Sequence, residues 1–184
     1  MKFNSIFKEF PVINTERLIL RQLREGDAEE LFNYFSDKEV YKYTDWYGPK
    51  SVEHAKKIID AWNSGYEEGW IIRFAIEDKN TNKIIGTVFF TEFDEYNKRA
   101  EIGYDLSRKY WRQGIMSEVF ENILPLAYEK FDLIRVQALI REENIPSQLL
   151  AKKFGFKEEG LLRKFECHSV EKVYNDMLLF ALVK

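Results

Sequence analysis

The chain has 184 residues, 45% of them hydrophobic and 16% aromatic, and carries a formal net charge of −3 at pH 7. That size and apolar content predict a single domain over residues 1–184 with a sizeable core, while the acidic balance disfavours a nucleic-acid binder. One cysteine excludes an internal disulfide framework and a cysteine-cluster zinc site, and no apolar run reaches the roughly 18 residues of a membrane-spanning helix.

The first part of the chain predicts a strand and then two helices. Residues 17–21 are predicted as a strand, because the two leucines in this stretch fall on one face. Asp27 then stands where it can cap a helix, with Glu30 as its capping-box partner. A second helix is predicted to start near Ser51. The aromatic stretch 41–47 between these helices has no clean period.

Three predicted strands follow in close succession, at residues 70–77, 83–93 and 99–106. They are separated by short polar turns at 78–82 and 94–98. Strands joined by turns of this length indicate an antiparallel meander.

The last part of the chain alternates helices with strands. The predicted elements are a helix at 114–130, a strand at 133–140, a helix at 146–154, a strand after Phe156 and a last strand at 174–183. Pro125 is expected to bend or split the long helix. The order β-α-α-β-β-β-α-β-α-β-β predicts an α/β (α+β) fold. Its mixed central sheet has about seven strands, mostly antiparallel with one parallel pair, and about four flanking helices.

The strongest chemical signal lies where the strand at 99–106 ends and the next helix begins near Gly114. The first N–H groups of a helix are unpaired and carry a partial positive charge, so a helix start can bind phosphate. Gly114 lets the backbone approach an anion closely, and Arg112 can add a charge-assisted bond. These residues alone fit an ordinary strand-to-helix turn equally well.

The turn reads Trp111-Arg112-Gln113-Gly114-Ile115-Met116. It resembles motif A of the GNAT superfamily of acyl-CoA N-acetyltransferases, usually written Q/R-x-x-G-x-G/A. Trp111 and Met116 depart from that pattern, and both departures resemble the RimJ/RimL-type branch, which acetylates ribosomal-protein N-termini and similar amines. Other stretches resemble this branch in the same order, at 15–21, 84–86, 100–106, 144–147 and 152–160. The resemblance covers the chain from about Thr15 to its end.

This resemblance implies a GNAT fold, in which the parallel strand pair splays to receive coenzyme A. It implies acetyl-CoA as the cosubstrate and direct attack of a primary amine on the thioester, without a metal. The residues expected to contact coenzyme A are Leu106, Arg112, Gln113, Gly114, Ile115, Met116, Ser117 and Asn144. A backbone N–H near Leu106 is also expected to stabilise the oxyanion. Asn144 fits a simple helix cap as well.

Two carboxylates are candidate general bases, since an α-amino group titrates at roughly 7.7–8.0 and a modest base suffices. Glu166, in the position that suits the RimJ/RimL-type branch, is placed slightly ahead of Glu101, which lies where other GNAT branches use a glutamate. Many GNAT enzymes use a tyrosine as the acid, but that slot holds Ala151 here. Ser147 is the expected substitute, hydrogen-bonding the CoA sulfur. Without the resemblance, the carboxylates fit surface groups and Ser147 a first-turn helix residue.

The remaining reactive residues predict no additional chemistry. Cys167 and His168 are neighbours on a predicted strand and point to opposite faces, which disfavours nucleophilic catalysis. His54 is most simply a first-turn helix residue. Two histidines so far apart predict no metal site.

The acceptor is expected to be an amine-bearing peptide, a protein N-terminus or a small molecule such as a polyamine or an aminoglycoside. Trp46, Tyr47 and Trp70 fit either the wall of its pocket or packed core. No nucleic acid or membrane partner is expected, and a homodimer is compatible with the sequence. Residues 1–10 lack a long apolar stretch, so a cytoplasmic location is expected.

Two alternatives to an active transferase stay open. The first is a GNAT-fold CoA-binding or sensor module without catalysis, motivated by the missing tyrosine and the imperfect glycine motif. The second is a phosphate-binding domain for another nucleotide, although the chain has no Gly-x-x-x-x-Gly-Lys-Ser/Thr or Gly-x-Gly-x-x-Gly stretch.

Overall fold

The computed structural model describes residue 7 and residues 9–184. Most of residues 1–10, on which the expectation of no secretory signal depends, lies outside the described residues. The strands are β1 (Ile13–Asn14), β2 (Leu18–Gln22), β3 (Ile72–Asp78), β4 (Lys83–Asp94), β5 (Arg99–Leu106), β6 (Arg135–Arg141), β7 (Lys157–Cys167) and β8 (Tyr174–Val183). They form one sheet in the order β1-β2-β3-β4-β5-β6-β8-β7.

Five α-helices accompany the sheet in the described part of the chain. They are α1 (Ala28–Phe35), α2 (Lys38–Tyr41), α3 (Val52–Glu68), α4 (Ile115–Glu129) and α5 (Ile145–Lys153). None of them is both long and apolar enough to cross a membrane. The predicted mixed, mostly antiparallel α/β sheet is confirmed. The two-residue β1 and the four-residue α2 escaped prediction, because elements this short show no periodicity.

The sheet separates two apolar cores. One core includes Phe74 and Ile76 of β3 together with Phe120 of α4. The other includes Ala75 of β3 and Ile59 of α3. Successive strand residues point to opposite faces, so β3 contributes to both cores. The helices α1 and α3 therefore lie on one face, and α4 lies on the other.

The parallel pair of the sheet is short. β5 and β6 share three residue pairs, Arg99 with Arg135, Ala100 with Val136, and Glu101 with Gln137. Beyond Glu101 the strands part, although β5 continues to Leu106 and β6 to Arg141. Backbone groups that face this gap have no ladder partner, so they can bind an extended ligand. We call the Glu101–Gln137 pair the vertex of the gap.

Two of the predicted helix starts, near Asp27 and near Ser51, have different outcomes. α3 begins at Val52, directly after Ser51, which confirms the predicted start, and the Ser51 hydroxyl accepts a bond from a first-turn N–H of the helix. Asp27 stands at the N-cap of α1, but its side chain makes no cap bond, so that predicted role is wrong. Its carboxylate binds the buried Arg21 guanidinium at 2.7 and 2.8 Å, since a buried charge requires a counter-charge. Glu30 binds Lys83 at 2.6 Å instead of completing a capping box.

The long helix α4 contains Pro125 and runs unbroken from Ile115 to Glu129. The predicted alternative in which Pro125 splits the helix is therefore wrong. Leu124 and Ala127, on either side of the proline, are both buried in the core on the α4 side, and this packing stabilises the helix across Pro125.

Candidate active site

The turn before α4 has the geometry of an anion site. Gly114, the N-cap of α4, has a φ of +75°, and Arg112 has a φ of +59°. A Cβ on Gly114 would meet nothing closer than Arg17 Nη2 at 3.6 Å, so the space beside this glycine is open. The first helical bond runs from the Glu118 N–H to the Gly114 carbonyl. The N–H groups of residues 115–117 precede it and have no intrahelical acceptor.

A side-chain cluster ties this turn to the segment that enters β2. Glu118, in the first turn of α4, accepts hydrogen bonds from Thr15 Oγ1 at 2.5 Å and the Arg17 N–H at 2.8 Å. Arg17 donates from Nε to Glu118 Oε2 at 2.6 Å and from Nη1 to the Gln113 carbonyl at 2.9 Å. Burial acts to raise the pKa of Glu118, but these hydrogen bonds outweigh it and lower that pKa. The turn before α4 is thus held in place by Thr15 and Arg17, which lie about 100 positions earlier in the chain.

Trp111 links the turn to the end of β5. Its Nε1–H donates to the Leu106 carbonyl at 2.8 Å, so the residue that departs from the usual motif has a defined structural role. The Gln113 side chain ties the turn to the residues before it by donating to the Lys109 carbonyl at 2.6 Å. Lys153 of α5 donates to Ser117 Oγ at 2.8 Å and adds a cation at the helix start.

Glu101 lies at the vertex, on the face of the sheet that carries α1 and α3. Both its chain neighbours belong to the core on the α4 side, so strand alternation directs its side chain the other way. Burial raises the pKa of Glu101 to about 7; a hydrogen bond with Gln137 opposes this, and the charges of Glu92 and Glu166 add to it. A carboxylate with this pKa can accept a proton near neutral pH.

Glu166, the other candidate base, is ion-paired. Arg141 Nη2 lies 3.4 Å from Glu166 Oε2 and donates to the Thr44 carbonyl at 3.0 Å. Burial and the charge of Asp45 raise the pKa of Glu166, while Arg141 acts to lower it. The negative charges of Glu101 and Glu166 act on one another, and that of Asp45 acts on Glu166. We call these three carboxylates the acidic region.

The aromatic segment after α2 is fastened to the turn between β7 and β8. The Asp45 carbonyl accepts bonds from the Ser169 N–H and hydroxyl, both at 2.7 Å. The Tyr47 hydroxyl binds Glu171, and its ring packs against His168 with centroids 4.7 Å apart. These contacts join the N-terminal half of the chain to the C-terminal hairpin beside the acidic region.

The start of α5 meets β5 through a pair of hydroxyl groups. Asn144 caps α5, since its Oδ1 accepts the Ser147 N–H at 3.3 Å, which confirms the cap interpretation. The Ser147 hydroxyl lies close enough to the Tyr104 phenol to influence its pKa. Burial raises the pKa of Tyr104 to about 12, although the Ser147 hydroxyl acts to lower it, so the phenol is protonated near neutral pH. Ala151, in the expected tyrosine slot, is buried in the core on the α4 side.

A buried polar cluster holds the end of β5. Asp105 accepts bonds from the Tyr34 hydroxyl at 2.7 Å and from the Thr87 hydroxyl and N–H at 2.7 and 3.0 Å. Arg73 Nη1 lies 3.4 Å from Asp105, and its guanidinium is stacked between two aromatic rings at 3.8 and 3.9 Å. This cluster fixes the stretch of β5 that continues into the turn before α4.

The three aromatic residues proposed for an acceptor wall have different environments. Trp46 packs on Phe35 in the core on the α1 and α3 side, with ring centroids 5.1 Å apart, which confirms the core interpretation for this residue. Tyr47 lies beside the acidic region, through its contacts with the β7–β8 turn. Trp70 lies beyond the C-terminal end of α3, where its Nε1 donates to Glu68 at 2.9 Å.

The two histidines and the cysteine have structural roles. His168 is buried, and its Nδ1 accepts the N–H groups of two residues that follow it in the turn. His54 Nδ1 accepts the Lys50 N–H at 3.1 Å in the first turn of α3. Cys167 Sγ lies 3.8 Å from the His168 carbonyl. Within residue 7 and residues 9–184, no three or more His, Cys, Asp or Glu side chains are grouped so as to hold a metal.

Three residues of this region were missed from the sequence. Arg17 and Tyr104 lie inside stretches that carry the family resemblance, but no role was assigned to them. Arg141 ends β6 on the same face as Gln137, and this polar alternation within a partly buried strand was the available signal.

A family model described as an acetyltransferase (GNAT) domain matches residues 17–157. The chain belongs to the GNAT acetyltransferase family. It is 37% identical over 156 residues to the uncharacterized N-acetyltransferase YoaA of Bacillus subtilis (strain 168), covering 85% of this chain and 88% of YoaA. This GNAT chain is also 25% identical over 172 residues to the ribosomal-protein-serine acetyltransferase of Escherichia coli (strain K12), covering 92% of this chain and 94% of that protein.

Among solved structures, the fold of this GNAT chain is similar to that of RimL, a ribosomal L7/L12 α-N-protein acetyltransferase in complex with coenzyme A. The TM-score is 0.82 at 24% identity, over 94% of this chain and 98% of the other. The expected GNAT fold and the RimJ/RimL-type resemblance are thus confirmed.

Proposed function

We propose that this GNAT acetyltransferase uses acetyl-CoA to acetylate a primary amine, with Glu101 as the general base. The observation that carries the proposal is the vertex, where a carboxyl with a pKa of about 7 lies at the base of the gap between β5 and β6. The gap leads from the anion-binding turn of α4 to the acidic region. A thioester in this gap would lie between the two.

The turn before α4 fits a diphosphate. It offers the unpaired N–H groups of residues 115–117 beside open space at Gly114, with Arg112 in the same turn. Coenzyme A supplies an activated acetyl thioester when bound. The proposed contacts of Leu106, at the end of β5, and of Asn144, at the N-cap of α5, extend the same path along the gap.

Glu101 is the better base of the two carboxylates. Glu166 faces Arg141, which stabilises its charged form, whereas the pKa of Glu101 is raised to about 7 by burial and by two like charges. Glu101 accepts a proton from the ammonium, directly or through one water, and the freed amine nitrogen attacks the thioester carbonyl carbon. The C–S bond breaks as the tetrahedral intermediate collapses, and the second nitrogen proton passes to the departing sulfur, which gives the amide and the free thiol. Glu166 and Asp45 favour a cationic acceptor beside Glu101.

Ser147 is proposed to stabilise the departing thiolate. A thiol titrates near 8.5, so the leaving sulfur needs a hydrogen bond more than a strong acid. The protonated Tyr104 phenol can donate to the Ser147 oxygen, which leaves the serine hydrogen for the sulfur. The pair lies on the α4 side of the sheet and Glu101 on the other, so leaving group and attacking amine are served from opposite faces.

The proposal is tested by incubating the protein with acetyl-CoA and three classes of acceptor. These are a peptide with a free N-terminal serine or alanine, a polyamine, and an aminoglycoside. The relative from Escherichia coli makes the peptide the first choice. Release of free thiol and a mass increase of one acetyl group are expected with at least one class, and an N-acetylated peptide is the control. Binding of CoA without thiol release from any class would favour the sensor alternative.

Replacing Ser147 by alanine is expected to lower kcat by roughly 10- to 100-fold, the value of a hydrogen bond to a charged group. Affinity for CoA should change little, because the serine acts on the sulfur as it leaves. Steady-state kinetics with acetyl-CoA and calorimetry with CoA check both statements. Ser64→Ala, at an exposed site on α3, is the matched control. An unchanged kcat in Ser147→Ala would contradict the role.

A further inference from the structure

We infer that Arg17 binds the diphosphate of coenzyme A directly, as a side-chain donor that completes the α4 turn. The inference rests on the proposed function for the identity of the ligand. Arg17 lies outside the turn motif, 96 positions before Gln113. Its role follows from where its three guanidinium nitrogens lie.

Two of these nitrogens hold the guanidinium in place. Nε donates to Glu118 Oε2 at 2.6 Å, and Nη1 donates to the Gln113 carbonyl at 2.9 Å. Glu118 is held in turn by Thr15 Oγ1 at 2.5 Å. A guanidinium already held through two of its nitrogens loses little conformational entropy when it binds a ligand through the third.

The third nitrogen, Nη2, lies beside the open face of the turn. It is 3.6 Å from the place where a Cβ on Gly114 would stand. The Arg17 side chain is 40% exposed, so an anion can reach it from solvent. A phosphate oxygen that met the N–H groups of residues 115–117 would therefore meet Nη2 as well, and arginine binds phosphate through charge-assisted bonds.

The pairing of Arg17 with Glu118 also explains how a carboxylate can occupy the first turn of a phosphate-binding helix. An uncompensated Glu118 would repel a diphosphate at this position. Because Arg17 covers both its oxygens, through the backbone N–H and through Nε, the charge that the ligand meets at this corner is that of the guanidinium.

The test compares the dissociation constants of CoA and of pantetheine, which lacks the diphosphate, by titration calorimetry. Arg17→Gln is expected to weaken CoA binding by roughly 10- to 100-fold and to leave pantetheine binding unchanged. Arg17→Lys, which keeps the charge without the fork, should fall between Gln and wild type. Arg99→Gln is the matched control, since it removes a comparable surface pair with Asp94 at 3.2 Å, away from the turn.

A double variant separates direct binding from mere neutralisation of Glu118. If Arg17 binds the diphosphate, Arg17→Gln/Glu118→Gln binds CoA more weakly than the wild type, because removing the Glu118 charge does not replace the missing guanidinium donor. Recovery of wild-type CoA affinity in the double variant would overturn the inference, as would equal weakening of CoA and pantetheine. Unchanged CoA affinity in Arg17→Gln would also overturn it while leaving the proposed function intact. Absence of CoA binding by the wild-type protein would instead overturn the proposed function and, with it, the inference.

Discussion

Replacing Glu101 by glutamine is expected to lower kcat by roughly 10²- to 10⁴-fold, the contribution of a positioned general base. Glutamine has nearly the shape of glutamate and can keep the hydrogen bond with Gln137, but it cannot accept the ammonium proton. The dissociation constant for CoA should be unchanged, since Glu101 lies on the opposite face of the sheet from α4. Steady-state kinetics and calorimetry on the same preparation measure both quantities.

The pH dependence of the reaction rate should also reflect the titration of Glu101. The pKa of Glu101 is about 7, so the basic form is lost as pH falls through that value. The wild-type kcat/KM for acetyl-CoA should therefore rise with pH through about 7, and this step should be missing in Glu101→Gln. Glu166→Gln is the matched comparison, because it removes the rival carboxylate. A larger loss of kcat in Glu166→Gln than in Glu101→Gln would assign the base to Glu166.

The pH dependence of the free energy of unfolding provides a control for the folding of the Glu101→Gln variant. The pKa of Glu101 rises from 4.5 to about 7 in the folded state, so between these values the folded protein holds a proton that the unfolded chain releases. This contribution to the free energy of unfolding is lost as pH rises through that window. Glu101→Gln lacks this loss, so its Tm at pH 8 should equal or exceed that of the wild type. A markedly lower Tm would mean that loss of activity reflects misfolding.

Replacing Arg21 by methionine is expected to lower the free energy of unfolding by about 3–5 kcal/mol. Arg21 binds Asp27 through two nitrogens at 2.7 and 2.8 Å and Glu77 through Nε at 2.5 Å, and all three side chains are nearly buried. Without the guanidinium, two carboxylates remain buried and unpaired. Thermal unfolding should show a Tm roughly 10 °C lower, given about 2–4 °C per kcal/mol for a chain of this size.

Two further variants show whether the loss comes from unpaired charge. Arg24→Met, at an exposed site two residues past β2, should leave the Tm unchanged within about 2 °C. The triple variant Arg21→Met/Asp27→Asn/Glu77→Gln should regain much of the lost Tm, because neutral amides are cheaper to bury than carboxylates. A loss below about 1 kcal/mol in Arg21→Met would contradict the role of this cluster.

The sequence was sufficient wherever structure depends on near neighbours in the chain. The strand patterns, the helix start near Ser51 and the helix start after Gly114 are all set within a few residues, and each is found. The Asp27 cap failed for the opposite reason. Its carboxylate binds Arg21, whose position on the buried sheet demands a partner that a local pattern does not reveal.

The α/β order of elements, the strand-to-helix turn at Gly114 and the relationship to GNAT acetyltransferases could all be read from the sequence. How the turn is held, and what surrounds each candidate base, depend on contacts between parts of the chain that are far apart in sequence. Arg17 and Glu118 are 101 positions apart, and the pKa of Glu101 depends on burial and on a charge from β7. Electrostatic energies depend on distance in space and on exclusion of water. Those quantities come into being when distant parts of the chain pack together.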